Sequence, residues 1–178
     1  MKIKALLLSL TMATTLLAGC GSKQAVAPVK EATKPDVVSS ASITNDATVF
    51  TKAISKKGNW IIAITGDMTI DKDIVLEGDF KDKDVPPLVH RKLALYNQDA
   101  KHVVTARYTL TAPKLTIKSP KASIEHGIFK GDLYVETNDF QLKDNKVIGN
   151  IYFANDADKA GFKMDPKSSV SGVQEVKK

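Results

Sequence analysis

The chain has 178 residues, with 26 lysines and arginines against 20 aspartates and glutamates, giving a formal net charge of +6 at pH 7. The positive charges alternate with acids and form no basic stripe with interleaved aromatics, which argues against a nucleic-acid binder. The single cysteine excludes an intrachain disulfide, so the folded part depends on its apolar core and its backbone hydrogen bonds.

The first 20 residues have the pattern of an export signal. Lys2 and Lys4 precede a mostly apolar stretch of about 13 residues, positions 5–17. A helix of that length rises only about 20 Å, which is too short for a bilayer core of about 30 Å. The segment therefore predicts a cleaved secretory signal and not a permanent membrane span.

The four residues Leu17-Ala18-Gly19-Cys20 resemble a bacterial lipobox. The resemblance implies that residues 1–19 are a lipoprotein signal peptide and that the sulfur of Cys20 carries lipid, such as palmitate-containing diacylglycerol. Two or three acyl chains anchor stably, because each buried methylene contributes about 0.8 kcal/mol. We expect the membrane to be a partner through Cys20. The protein would lie on the outer face of the cell membrane, or in the outer membrane where a cell has two.

Residues 20–43 follow as a segment rich in Ala, Val, Lys, Pro, Ser and Thr. Pro28 and Pro35 interrupt any helix, and no apolar period persists. The range therefore predicts a flexible tether between the lipidated Cys20 and the folded part.

Residues 44–178 predict a β-rich domain with an N-terminal capping helix. Apolar residues at helical spacing predict that helix over 46–57, with Thr44, Asn45 or Asp46 as its N-cap and Gly58 just after its end. Short apolar runs predict strands at 60–64, 68–70, 74–76, 92–96 and 103–110.

An 18-residue repeat follows these strands. The triplet Leu115-Thr116-Ile117 aligns with Leu133-Tyr134-Val135 and with Ile151-Tyr152-Phe153, and Gly131 and Gly149 lie in one register before the strand. A period with glycine corners predicts a mainly β fold, a short right-handed parallel β-helix with coils of about 18 residues. The first and third residues of each triplet would point inward and the middle ones outward. The alternative fold is an antiparallel β-sandwich.

Further matches extend the repeat. Gly127 aligns with Asn145, two residue types that tolerate a left-handed turn, and residues 66–70 look like the unit at 131–135. A last partial coil is expected around Val170 and Val173, within residues 162–178.

The coil length and the glycine-led strands resemble polymer-forming, bactofilin-like β-helix domains, over about 45 residues from Leu115 onward. The resemblance implies a scaffold that assembles with itself. Residues 80–112 depart from the pattern, because Pro86 and Pro87 break the register.

No histidine has a second His or Cys at metal-ligand spacing, so His90, His102 and His126 predict no metal site and no cofactor. Each is expected to be solvated. Acidic groups lie near residues 71–73, 79–84 and 155–158, but interleaved lysines in the first two and the absence of EF-hand-like spacing favour solvated turns over a calcium site.

Polysaccharide-cleaving β-helix enzymes place acids together with a basic residue on one face. The nearest candidates here are Glu125, Asp132 and Glu136, with Arg107 as the cation. Nothing in the sequence fixes them near one another, and Glu136 is expected to stack on Lys118. We therefore expect no catalytic residues and no enzyme.

Tyr134 and Tyr152 would lie side by side on the outer surface, where two aromatic rings bind a sugar or simply stabilise the sheet. The sequence thus predicts a membrane-anchored, surface-exposed envelope lipoprotein with a non-enzymatic structural or binding role. Its expected partners are a cell-wall glycan or another envelope protein. A polysaccharide-active protein and a self-assembling scaffold are the alternatives.

Overall fold

The computed structural model describes residues 41–80 and 90–177. It is mainly β, with 46% strand and 10% helix, and its parallel sheets form a β-solenoid of about 6 turns with about 20 residues per turn. The elements in chain order are β1 Ala41–Thr44, α1 Ala47–Ala53, β2 Ile61–Ile64, β3 Met68–Thr69, β4 Ile74–Leu76, β5 Lys92–Ala94, β6 Tyr96–Gln98, β7 Val104–Arg107, β8 Thr109–Ile117, β9 Ser123–Glu125, β10 Ile128–Val135, β11 Gln141–Lys143, β12 Lys146–Ile148, β13 Ile151–Phe153, α2 Asp156–Gly161, β14 Lys163–Met164, β15 Ser169–Val170 and β16 Gln174–Val176.

The strand pairing excludes the antiparallel sandwich. Every described pair is parallel except β6 with β7. One sheet takes one strand from each turn, in the order β1-β2-β5-β9-β11-β14. In the other sheet the long strands β8 and β10 each pair with two short strands of a neighbouring turn, so a turn contains up to three strand segments. The predicted parallel β-helix is confirmed.

The predicted 18-residue register is also confirmed. Leu133 pairs with Leu115 on one side and with Ile151 on the other. The inward residues of these triplets are at most 1% exposed, and the column continues through Ile74 in β4. The outward Thr116 is covered as well, at 6% exposure. Because each turn packs mainly against its neighbours, these columns form one continuous core.

One predicted match is wrong in its register. Met68 pairs with Leu110 and so lies in the column of Phe129, not in that of Leu133. The reason is a change in turn length, because the chain takes 31 residues from Ile61 to its ladder partner Lys92, against 18 from Leu133 to Ile151. The next turn contains the antiparallel β6–β7 hairpin. A fixed period therefore fails across residues 77–109. The part of this irregular region at 81–89, with both prolines, lies outside the described residues.

The corner at Gly127 was predicted only in part. His126 and Gly127 both have a left-handed φ, at 56° and 59°, but at the same corner of the next turn only Asp144, the counterpart of His126, is left-handed, at φ 51°. Asn145 is instead buried, and its amide donates to the carbonyl oxygens of His126 and Gly127. This side chain thus joins two turns at the corner.

The helix α1 begins as predicted but ends early. The Asp46 carboxylate accepts hydrogen bonds from the Thr48 and Val49 amides at 2.7 and 2.9 Å, which makes it the N-cap. The helix ends at Ala53, four residues before the predicted end. It takes the place of the second sheet in the first turn, since the Glu77 amide after β4 donates to the carbonyl oxygen of Ile54.

The early end of α1 is explained by Arg91, a residue that the sequence did not single out. Its side chain is 0% exposed, and burial lowers the pKa of Arg91 to about 10. The guanidinium lies 4.2 Å from the centroid of the Phe80 ring. It donates, over 2.5–3.3 Å, to the backbone carbonyl oxygens of Ala53, Ile54, Ser55, Asn59 and Glu77. At the end of the helix these bonds add a second donor to carbonyls that already accept a backbone N–H from outside the helix.

The solenoid begins earlier in the chain than the sequence indicated, and it ends with the expected further turn. Strand β1, Ala41–Thr44, overlaps the end of the range expected for the tether, so residues 41–43 belong to the solenoid. At the other end, β14, β15 and β16 form a further turn, as the expected last coil required. Its core-facing Met164 is 42% exposed, because no described turn covers it. Residues 1–40, with the expected signal peptide and most of the tether, lie outside the described residues.

We expect Gly149→Ala to lower the free energy of unfolding by about 1–3 kcal/mol. Gly149 has a φ of 152°, and a Cβ there would fall on the carbonyl oxygen of Gly131 in the preceding turn. Gly66→Ala is the matched control, because a Cβ at that position meets nothing within 4 Å. Urea denaturation measures both, and equal stability of the two variants would contradict the assigned corner.

Candidate functional site

The structure brings Tyr134 and Tyr152 together on the outer surface. They are ladder partners on β10 and β13, and alternation along each strand turns their rings away from the core. The ring centroids are 5.0 Å apart and the planes are inclined by 46°. Both side chains are half-buried, so each ring keeps an accessible edge or face. Ligand binding by this pair stays a prediction.

Lys177 completes the site, and the sequence did not reveal it. It directly follows the edge strand β16, and its Nζ lies 4.5 Å from the Tyr152 ring centroid and 5.0 Å from that of Tyr134. The ammonium donates a 2.7 Å hydrogen bond to the Tyr134 hydroxyl, and this bond raises the pKa of Lys177. Val176 pairs with Phe153 across a 23-residue step, so extending the 18-residue repeat does not place Lys177 here.

A second lysine approaches the same rings. The Nζ of Lys114 lies 5.4 Å from the Tyr134 ring centroid. It forms an ion pair of 2.6 Å with Asp73, and this hydrogen bond raises the pKa of Lys114. Lys114 is therefore neutralised by a carboxylate before any ligand arrives.

The two tyrosines and Lys177 lie in a surface groove of about 250 Å³, which we call the tyrosine groove. Its lining residues are Tyr134, Val135, Glu136, Tyr152, Phe153, Ala154 and Lys177. Small-molecule pockets typically measure about 300–1,000 Å³. The groove is shallow and suits one unit of a longer chain better than a whole buried ligand.

The acids considered for catalysis do not converge. Glu125 lies between two lysines, 2.6 Å from Lys92 and 3.1 Å from Lys143. Asp132 accepts hydrogen bonds from the backbone and side-chain nitrogens of Asn150 in the next turn. Each of these acids thus bonds to its own neighbours.

The third acid and the proposed cation are engaged elsewhere. Glu136 stacks on Lys118 as predicted, at 3.3 Å. Arg107 lies 2.6 Å from Asp144 and contacts none of the three candidate acids. Its bond is the main reason that the pKa of Asp144 lies below the ordinary value.

His126 is not simply solvated, as the sequence suggested. Its Nδ1 lies 2.9 Å from the Asp144 carboxylate, and its ring packs edge-on against Tyr96 at a centroid distance of 4.2 Å. With Arg107, these side chains fasten the β6–β7 hairpin to the body of the solenoid. The 18-residue spacing of His126 and Asp144 was a signal for this contact.

Of the acidic groups, the one at residues 155–158 is tied into the fold, whereas Asp71, Asp73 and Asp79 are exposed as expected. At the start of α2, the Asn155 side chain accepts from the Asp158 amide and donates to the Asp158 carboxylate. Asp158 is 5% exposed, and burial raises its pKa, so this site is not a solvated turn as predicted. Within residues 41–80 and 90–177, no three His, Cys, Asp or Glu side chains are grouped as metal ligands would be. Asp82 and Asp84 lie outside that part of the chain.

The lipobox-like segment and Cys20 lie outside the described residues, so lipidation stays a prediction. In the part of the chain that the structure describes, none of the helices has the length and apolar character needed to cross a bilayer.

We expect Glu125→Gln to lower the free energy of unfolding at pH 7 by about 1–3 kcal/mol, because Lys92 and Lys143 lose their shared partner. Burial alone would raise the pKa of Glu125, but the hydrogen bond and charge of Lys92, with Lys143, hold it below the ordinary value. A carboxylate with a depressed pKa stabilises above its unfolded pKa of about 4, and that stabilisation is lost as the pH falls through the folded pKa.

Urea denaturation at pH 7 and at about pH 2 should therefore show a difference between wild type and variant that disappears in acid. Glu136→Gln is the control, since its side chain is 43% exposed and its ion pair should contribute at most about 0.5 kcal/mol. A Glu125 effect that persists unchanged in acid would contradict this account.

Comparison with protein-family models, with curated proteins and with solved structures found no match. The function is therefore inferred from the residues and the fold.

Proposed function

We propose that this chain is a lipid-anchored protein of the bacterial cell envelope, in which a rigid β-solenoid has a structural or binding role and no catalytic one. The anchor is proposed from Leu17-Ala18-Gly19-Cys20, which precedes a proline-containing segment and then the solenoid. Lipid on Cys20 and a tether of some twenty residues would hold the solenoid just outside the outer face of the membrane.

The separate pairing of the acids is the observation that carries the non-enzymatic role. General acid and base groups must reach the same substrate bond. Here Glu125 bonds to two lysines, Asp132 bonds to Asn150 and Glu136 bonds to Lys118. A surface whose acidic side chains bond to residues of neighbouring turns is typical of a scaffold or a binding module.

The anchor is tested by growing bacteria that express the full chain with an alkyne-labelled fatty acid. We expect the wild-type protein to carry the label and to fractionate with membranes. Cys20→Ser should carry none, because the chain has no other thiol. Ser22→Ala, next to the site but outside the lipobox-like segment, should be labelled as wild type. Equal labelling of Cys20→Ser and wild type, or no label in either, would rule out the anchor.

A second candidate function is carbohydrate binding by the tyrosine groove. The observation in its favour is the pair of half-buried rings at 5.0 Å, beside hydrogen-bonding groups of Lys177 and Glu136. Aromatic faces carry partial negative charge and attract the C–H groups of a sugar ring. The same pair also stabilises the sheet, by about 0.2–1 kcal/mol, without any ligand.

Sedimentation of the full chain with insoluble cell-wall glycan separates these two roles. If the groove binds sugars, Tyr134→Ala/Tyr152→Ala should abolish co-sedimentation, whereas Tyr134→Phe/Tyr152→Phe, which keeps both rings, should retain most of it. The unfolding midpoint of each variant verifies folding. Failure of the wild-type chain to sediment would leave the tyrosines a structural pair and weigh against the second candidate.

A further inference from the structure

The geometry points to an acidic glycan, one that carries a carboxylate or phosphate group on the sugar, as the ligand of the tyrosine groove. This inference rests on the carbohydrate-binding candidate above and specifies its ligand class. It is carried by the position and charge of Lys177 relative to the two rings.

Lys177 has no close ionic partner among the described residues, and the charge of the Asp132 carboxylate acts on it only from beyond ion-pair distance. Its contacts are the two tyrosine rings and the Tyr134 hydroxyl. An ammonium has three N–H donors, so two remain available after the bond to Tyr134. The side chain is exposed, which leaves those donors accessible from solvent.

The neighbouring lysines differ from Lys177, because each forms an ion pair with a carboxylate. Lys114, on the other side of Tyr134, is held by Asp73 at 2.6 Å. Lys118 is held by Glu136 at 3.3 Å. The positive charge in the groove therefore comes from Lys177.

The acids near the groove are compatible with an anionic ligand. Glu136 lines the groove but already pairs with Lys118. Glu175 follows Tyr152 in the outward column and is exposed, yet it does not line the groove. Its negative charge would lower the affinity for an anion bound nearby, but its side chain would not block the groove.

These positions fit the two parts of an acidic sugar. The apolar face of the sugar would contact the parts of the Tyr152 and Tyr134 rings that the Lys177 ammonium leaves accessible. The carboxylate or phosphate oxygens would accept charge-assisted hydrogen bonds from the free N–H groups of Lys177. A neutral sugar would make the contact with the tyrosine rings but would lack the charge-assisted hydrogen bonds with Lys177.

The test measures binding of the full chain, purified in detergent, to three immobilised polymers: polygalacturonate, phosphomannan and neutral galactan. We expect at least one acidic polymer to bind about tenfold more tightly than galactan, with the preference shrinking as salt rises. The two acidic polymers distinguish a carboxylate from a phosphate ligand. Equal binding of all three polymers would overturn the inference and leave the carbohydrate-binding function standing.

Variants locate the effect. Lys177→Gln should reduce binding of the preferred acidic polymer to the galactan level, Lys177→Arg should keep the preference, and Glu175→Gln should strengthen it. Lys130→Gln is the matched control, because it removes one exposed positive charge from another part of the surface. An equal loss in Lys130→Gln and Lys177→Gln would overturn the inference in favour of nonspecific attraction. Binding of no polymer at all would refute the carbohydrate-binding function itself, and this inference with it.

Discussion

The buried guanidinium of Arg91 is the interaction on which the N-terminal half of the solenoid depends. A charge removed from water is costly unless hydrogen bonds compensate it. Here the hydrogen bonds go to five backbone carbonyl groups, three of them at the end of α1 and just after it, and the charge of Glu77 adds to the compensation. The carbonyl end of a helix carries partial negative charge, so the cation and the helix end stabilise each other.

Arg91 thereby joins segments that no regular ladder would hold together. Its partners lie after α1, before β2 and after β4, and Arg91 itself immediately precedes β5. It fixes where the helix ends and where two strands enter the first sheet. From β5 onward, parallel pairing takes over, and each turn presents its apolar columns to the next. The outward residues are aligned by the same register, which is how Tyr134 and Tyr152 come to lie side by side.

The regular half of the fold could be predicted from the sequence because its constraint repeats. A residue that faces the core in one turn stacks on a residue facing the core in the next, so apolar residues recur every 18 positions from Leu115 to Phe153. Glycine recurs with them where the backbone passes close to the neighbouring turn. The same reasoning placed the two tyrosines correctly.

The remainder could not be predicted, because it depends on contacts without a period. The steps from Ile61 to Lys92 and from Lys92 to Ser123 take 31 residues each, so the segment with Met68 was assigned to the wrong column. The bonds of Arg91 span 14–38 residues and leave no local pattern. Lys177 reaches the tyrosines across a final turn of 23 residues. Each of these contacts depends on the length of an irregular turn, which the amino-acid pattern does not encode.

The most direct measurement compares the free energy of unfolding of Arg91→Lys and Arg107→Lys, the two arginines of the chain. Both variants keep the positive charge, but a lysine at 91 cannot reach carbonyls on several segments at once. We expect Arg91→Lys to lose about 3–5 kcal/mol or to fail to fold, as when a buried charge loses its partners. Arg107→Lys, at 46% side-chain exposure, should lose less than about 1 kcal/mol. Similar small losses in both variants would contradict the role assigned to Arg91.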